Sequence, residues 1–231
     1  MKLTTVTITG ADEAVEPKAL AELSRRFPFV EWAILISNTR CGTPRYPSEE
    51  WIDALPNIGN LAAHFCGSRA RDLMINDDHW LVARPLHAAR LGRIQINGWY
   101  PGGAPLGLAR RWSEKQWLLQ ARSEDALVDA MHDANRLRTG GGDCAILFDP
   151  SGGRGIESFS WPRMPDGIGV GFAGGISPSN VRQVVTDIIA ANATRSGDFW
   201  IDMESGVRTN DRFDLAKVEE VLSICDGLVS R

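Results

Sequence analysis

Short runs of β-branched, aromatic and aliphatic residues recur along this chain at intervals of about 24 to about 31 residues, the length of one strand-plus-helix unit. Eight such runs predict strands over 5–9, 32–37, 61–66, 93–97, 117–121, 144–149, 170–174 and 199–204. Three in the second half stop at an acidic or glycine-rich turn: Ala145-Ile-Leu-Phe-Asp149 before Ser151-Gly-Gly-Arg-Gly155, then Val170-Gly-Phe-Ala-Gly-Gly-Ile176, then Trp200-Ile-Asp-Met-Glu-Ser-Gly206. A buried parallel strand that ends in glycines brings bare backbone close to a ligand.

The segments between the strands switch to a helical period. Residues 11–27 place Ala14, Leu20, Leu23 and Phe27 on one face, with acidic residues early and Arg25-Arg26 late, as the helix dipole favours. Residues 123–137 open on Ser-Glu-Asp and stop before Thr139-Gly-Gly-Gly. A helix over 178–193 would take Ser177 as N-cap and Pro178 as first position, and one over 211–225 presents Phe213, Val218, Val221 and Leu222. The stretch Pro101-Gly-Gly-Ala-Pro-Leu-Gly leaves little room for a full helix. The alternation predicts one α/β domain over 1–231, a closed (β/α)8 TIM barrel, with its active site at the C-terminal ends of the strands.

That placement selects Thr9, the 37–45 segment, His64, Cys66, Gln95, Asn97, Gln120, Arg122, Asp149, Gly174, Gly175, Asp202, Glu204 and Ser205. The turns at Gly174-Gly175 and Ser205-Gly206, with the helix starting near Pro178, read either as a backbone phosphate site or as tight strand-to-helix turns alone. The loop holding Gly152, Gly153 and Arg154 reads either as ligand lining or as a flexible connection. Asp149, at the end of an apolar strand, is placed for acid–base work; its alternative is a helix cap or an arginine partner. Asp202 and Glu204 alternate by two, so both face the barrel mouth, as acid–base groups or as partners of backbone amides and of Arg208. Trp32, Trp117 and Trp200 sit at strand starts and read as packing; Trp99-Tyr100, after the fourth strand, reads either as packing or as a pair that stacks on a ring.

Composition narrows the partners. With 231 residues, 43% of them hydrophobic, the chain can bury a large core, and a formal charge of -4 with dispersed basic residues argues against nucleic acid. No apolar run long enough to cross a membrane and no secretory signal pattern is present, so a cytoplasmic protein without membrane partners is expected. Cys41, Cys66, Cys144 and Cys225 form no metal-ligand spacing and are expected as reduced, mostly packed thiols, with no metal or organic cofactor.

Six motifs in order are similar to those of the phosphoribosylanthranilate isomerase family, which carries out an Amadori rearrangement. Thr7-Ile-Thr-Gly10 resembles the family's Lys-Ile-Cys-Gly, Thr43-Pro-Arg-Tyr46 its Ser-Pro-Arg-Tyr, and Ile94-Gln-Ile-Asn-Gly98 its Val-Gln-Leu-His-Gly. Leu147-Phe-Asp149, Gly152-Gly-Arg-Gly155 and Phe159-Ser-Trp161 resemble Leu-Leu-Asp, Gly-Gly-x-Gly and Phe-Asp-Trp. Ala173-Gly-Gly-Ile-Ser-Pro-Ser-Asn-Val181 resembles Ala-Gly-Gly-Leu-x-Pro-Glu-Asn-Val, and Ile201-Asp-Met-Glu-Ser-Gly-Val207 resembles Val-Asp-Val-Ser-Ser-Gly-Val.

The resemblance implies a phosphorylated small-molecule substrate in tryptophan biosynthesis or a related phosphosugar reaction, a monomer or homodimer, Asp149 as general acid and Arg45 assisting. It also exposes a departure: the family's catalytic cysteine position holds Thr9, whose hydroxyl is far too weak an acid to supply a base unaided. His64, Cys66 or Glu204 would have to replace it. A phosphosugar epimerase or lyase, and a phosphosugar-binding protein without turnover, remain as alternatives to the isomerase.

Overall fold

The computed structural model describes residues 1–75, 77–152, 155 and 160–230. Eight parallel strands close on themselves in chain order: β1 Lys2–Thr9, β2 Val30–Ile36, β3 Asn60–Phe65, β4 Leu91–Ile96, β5 Gln116–Ala121, β6 Asp143–Phe148, β7 Gly169–Ala173 and β8 Asp198–Met203. The closing pair sets Thr7 beside Asp202 and Ile8 beside Met203, so the ends of β1 and β8 share one stretch of rim.

The helices are uneven. In chain order they are α1 Pro17–Arg26, α2 Glu49–Asp53, α3 Ser68–Met74, α4 His79–Ala83, α5 Pro85–Arg90, α6 Leu106–Arg111, α7 Glu124–Thr139, α8 Val181–Ala191 and α9 Leu215–Asp226. The predicted strands all appear, shifted by at most three residues at their ends; three of the four predicted helix starts shift by three to six. Residues 11–16 stay outside α1 because Pro17 takes the first helical turn and Asp12 is held elsewhere, by the backbone N–H of Arg45 and by Arg208. The 178–180 segment is a turn, with Asn180 rather than Ser177 as the N-cap of α8. A short antiparallel pair, β9 Arg208–Thr209 and β10 Arg212–Phe213, delays α9 to Leu215, capped by Asp214. The glycine- and proline-rich stretch after β4 leaves α6 only 6 residues, as its composition predicts.

Most apolar burial lies between the strands and the outer helices, where Trp32 and Trp117 are wholly buried. Inside the barrel the apolar cluster is small: Leu118, Ala145, Leu147, Ala173 and Trp200. Gly171 makes room there, since a Cβ at that position would overlap the Trp200 ring. Below this layer Arg93 lies 4.3 Å over the Trp200 ring and pairs with Glu31, while Thr7 donates to Glu31 at 2.9 Å. A buried charge stays ionised only if paired and hydrogen-bonded, and this pair meets both conditions. Cys144 and Cys225 are buried, Cys66 is half-buried and Cys41, against expectation, is exposed on the loop after β2. Among the described residues no helix is long and apolar enough to cross a membrane.

Candidate active site

The C-terminal mouth of the barrel holds a pocket of about 550 Å³, its open entrance included, within the usual range for small-ligand sites. Thr9, His64, Gln95, Asn97, Gln120, Arg122, Asp149, Asp202 and Glu204 line it from the strand ends, and Gly152, Gly174, Gly175, Ser205 and Gly206 from the turns above them. Gly153, Arg154 and Phe159 lie outside the described residues.

Two buried carboxyl groups come from well-separated strands. Asp202, on β8, accepts a hydrogen bond from the Thr9 hydroxyl at 2.6 Å. Burial pushes its carboxyl up to about 8, against the pull of the Thr9 hydrogen bond and with help from the charges of Asp149, Glu204 and Glu31. Among the described residues it is thus bound by a side chain and not by backbone amides. Asp149 follows β6 and turns the chain back on itself: one oxygen accepts from Ser151 N at 3.1 Å, Ser151 Oγ at 2.7 Å and Gly152 N at 3.1 Å. Its other oxygen accepts from Gln120 Nε2 at 2.7 Å. Among the described residues these contacts tie Asp149 to its own turn and to Gln120.

Glu204 meets Arg45 at 2.5 Å rather than Arg208. Burial raises the Glu204 carboxyl, and the Arg45 guanidinium opposes that rise. Arg208 is buried instead against Asp12 at 2.6 Å and the carbonyls of Gly10 and Asp211. Arg45 also donates to Ser205 Oγ at 3.1 Å and to Asp211 at 2.9 and 2.6 Å, and does not line the pocket. Its left-handed backbone, φ 77, is held by the hydrogen bond to Asp12. Asp12 and Asp211 carried no sequence signal for this role.

The β3–β4 wall is neutral. His64 is buried and its imidazole is driven down to about 3, first by desolvation and then by the Arg93 charge, so it is uncharged near neutrality. Cys66 accepts from Asn97 Nδ2 at 3.1 Å, and burial pushes its thiol up, away from the thiolate. Gln95 donates to Asn97 Oδ1 at 2.7 Å. His64 Nε2 and Gln95 Oε1 are buried and have no hydrogen-bond partner among the described residues. Trp99 is drawn away from the mouth, its indole N–H donating to Asp133 at 3.2 Å, and Tyr100 is exposed outside the pocket.

Across the mouth, Gly174 and Gly175 adopt φ 125 and φ 65, conformations side chains disfavour, and leave the backbone bare. Asn180 holds this turn by donating to the Gly175 carbonyl at 3.0 Å and accepting from Ser177 N at 2.8 Å. Ser205–Val207 forms one 3₁₀ turn, in which a Cβ at Gly206 would overlap the Ile176 carbonyl. The β7 and β8 turns therefore pack backbone against backbone.

The family model described as N-(5'phosphoribosyl)anthranilate (PRA) isomerase matches residues 110–223, from α6 through most of α9. Over those residues the chain is similar to the phosphoribosylanthranilate isomerase family. Among solved structures it is similar to N-(5'-phosphoribosyl)anthranilate isomerase from Pyrococcus furiosus, at 17% identity and a TM-score of 0.55, over 97% of this chain and 99% of that one. At that identity the likeness shows a shared barrel fold. No curated protein matched the chain. The family match includes Asp149, Gly174, Gly175, Asp202 and Glu204; Thr9, Arg45 and His64 lie before it.

Proposed function

We propose that the chain isomerises a phosphoribosyl-amine from aldose to ketose, with Asp149 and Asp202 as the proton-transfer pair. The observation that carries this reading is the meeting of two buried carboxyl groups with the bare glycine turns in one pocket. The turns of Gly174, Gly175, Ser205 and Gly206, joined by Gly152, bind the phosphate through backbone N–H groups. The Gly153 expectation lies outside the described residues. Thr9 does not act as the base: its hydroxyl is donated to Asp202 and orients that carboxyl. His64 and Cys66 are poor bases, the first because burial strips its proton affinity, the second because burial keeps its thiol protonated. Glu204 is occupied by Arg45, which positions it instead of assisting directly.

The chemistry needs one proton delivered to the furanose ring oxygen while the C1–O bond breaks and the nitrogen lone pair forms an iminium. A second group then removes the C2 proton, and its electrons form the C1–C2 double bond. The resemblance implies Asp149 as the acid. The environment of Asp202 favours the opposite division, because a carboxyl raised to about 8 carries its proton at neutral pH. Asp202 protonates the ring oxygen and recovers a proton from the C2 hydroxyl as the ketone forms. Asp149 moves the C2 proton to C1, so the cycle balances without a cofactor.

Proton NMR in D2O on a panel of N-phosphoribosyl amines tests both statements. Turnover removes the C2–H signal and is lost in Asp149→Asn and Asp202→Asn. No turnover of any member by the wild type sinks the isomerase reading and leaves a binding protein. A rate that falls as pH rises through about 8 supports Asp202 as acid, whereas one that rises there returns the acid role to Asp149.

A further inference from the structure

Charge at the mouth is lopsided. Three acidic side chains, Asp149, Asp202 and Glu204, line the pocket, against Arg122 as the one cation among its described lining residues. Arg45, which the resemblance makes the substrate-side arginine, is covered by two carboxylates, Glu204 and Asp211, and all three of its guanidinium nitrogens are used. Arg208, just beyond β8, is buried against Asp12. The ends of β3 and β4 offer neutral groups to the pocket, and two of their buried polar atoms, Gln95 Oε1 and His64 Nε2, await partners among the described residues.

Resting on the proposed isomerisation, we infer that the amine borne by the phosphosugar ends in a neutral or cationic, hydrogen-bond-donating group, and not in the anionic aromatic carboxylate named for the family. Gln95 Oε1 can only accept, so the ligand must bring a donor to it. Leaving it unpaired wastes a buried polar group, and a ligand carboxylate would find Arg45 already taken by Glu204 and Asp211. A carboxamide, an amine or a hydroxylated substituent satisfies both demands. Gln95 and Glu204 thereby set specificity, while the glycine turns hold the phosphate common to every candidate.

Unreactive N-aryl 1-amino-1-deoxyribitol 5-phosphates isolate this choice, because they bind without turning over. The 2-carbamoylphenyl compound should bind the wild type at least about tenfold more tightly than its 2-carboxyphenyl counterpart in titration calorimetry. Glu204→Gln should close most of that gap. Asp211→Asn, at an exposed site that tolerates change, should narrow it by releasing Arg45. Equal or tighter binding of the carboxylate by the wild type overturns the inference and leaves the isomerase reading standing, as does a gap unchanged in both variants. Failure of every ribitol phosphate to bind removes the phosphosugar reading and the inference together.

Discussion

At the floor of the barrel Arg93 is pressed between Glu31, Thr7 and the Trp200 ring, so one buried cation answers one buried anion. At the mouth, Asp149, Asp202 and Glu204 converge, and the arginine nearest them is shared with a fourth carboxylate, Asp211. The same strands supply both layers. The floor balances its charge and gains a fixed interior; at the mouth burial, with neighbouring carboxylates adding to it, raises the proton affinity of Asp202 and Glu204. Stability and reactivity have been assigned to opposite ends of one set of β-strands.

Breaking the floor should have the largest effect on folding. Arg93→Ala leaves Glu31 buried without its counter-ion and should cost about 3–5 kcal/mol in urea unfolding, while the Glu31→Leu/Arg93→Leu pair should recover most of that loss. A double variant as unstable as the single one would mean that the ion pair is not what the floor depends on. At the mouth, Asp149→Asn should reduce kcat by about 10²–10⁴ with little change in the affinity for a ribitol phosphate, as read by steady-state rates and calorimetry. A loss confined to affinity would make Asp149 a ligand rather than a proton carrier.

The pH dependence of stability sharpens the contrast. Asp202 is raised in the folded chain, so its contribution is fully present below its unfolded value near pH 4 and is lost as pH rises through about 8. Wild-type melting temperatures should therefore decline over that window relative to Asp202→Asn, and parallel curves would deny the raised carboxyl. The smallest effect belongs to Thr9→Val, which removes one buried hydrogen bond at roughly 1 kcal/mol. Because the Thr9 hydroxyl lowers the Asp202 carboxyl, the same change should move the alkaline limb of the rate profile to higher pH.

The barrel was legible because each strand is a continuous apolar run and each run ends in turn chemistry, a local signal that survives without knowledge of the neighbours. Helix starts were less legible wherever a residue near the cap is claimed from afar, as Asp12 is by Arg45 and Arg208. The glycine turns and Asp149 could be read from their own neighbourhoods. The partners could not: Thr9 and Asp202 are 193 positions apart and Arg45 and Glu204 are 159 apart. Only barrel closure, which sets β1 against β8, makes them neighbours. Trp99 was left open for a similar reason, since an aromatic ring after a strand reads as packing or as stacking until Asp133 on α7 takes its N–H.

Trp200 fills the volume that Gly171 leaves empty on the adjacent strand. Each residue is therefore half of a single space-filling unit, and neither can drift alone: a larger residue at 171 evicts the indole, and a smaller one at 200 opens a void beneath the pocket. Relatives that carry a side chain at the first position should carry a slimmer one at the second, so the pair forms a two-letter signature for following this branch of barrels through divergence.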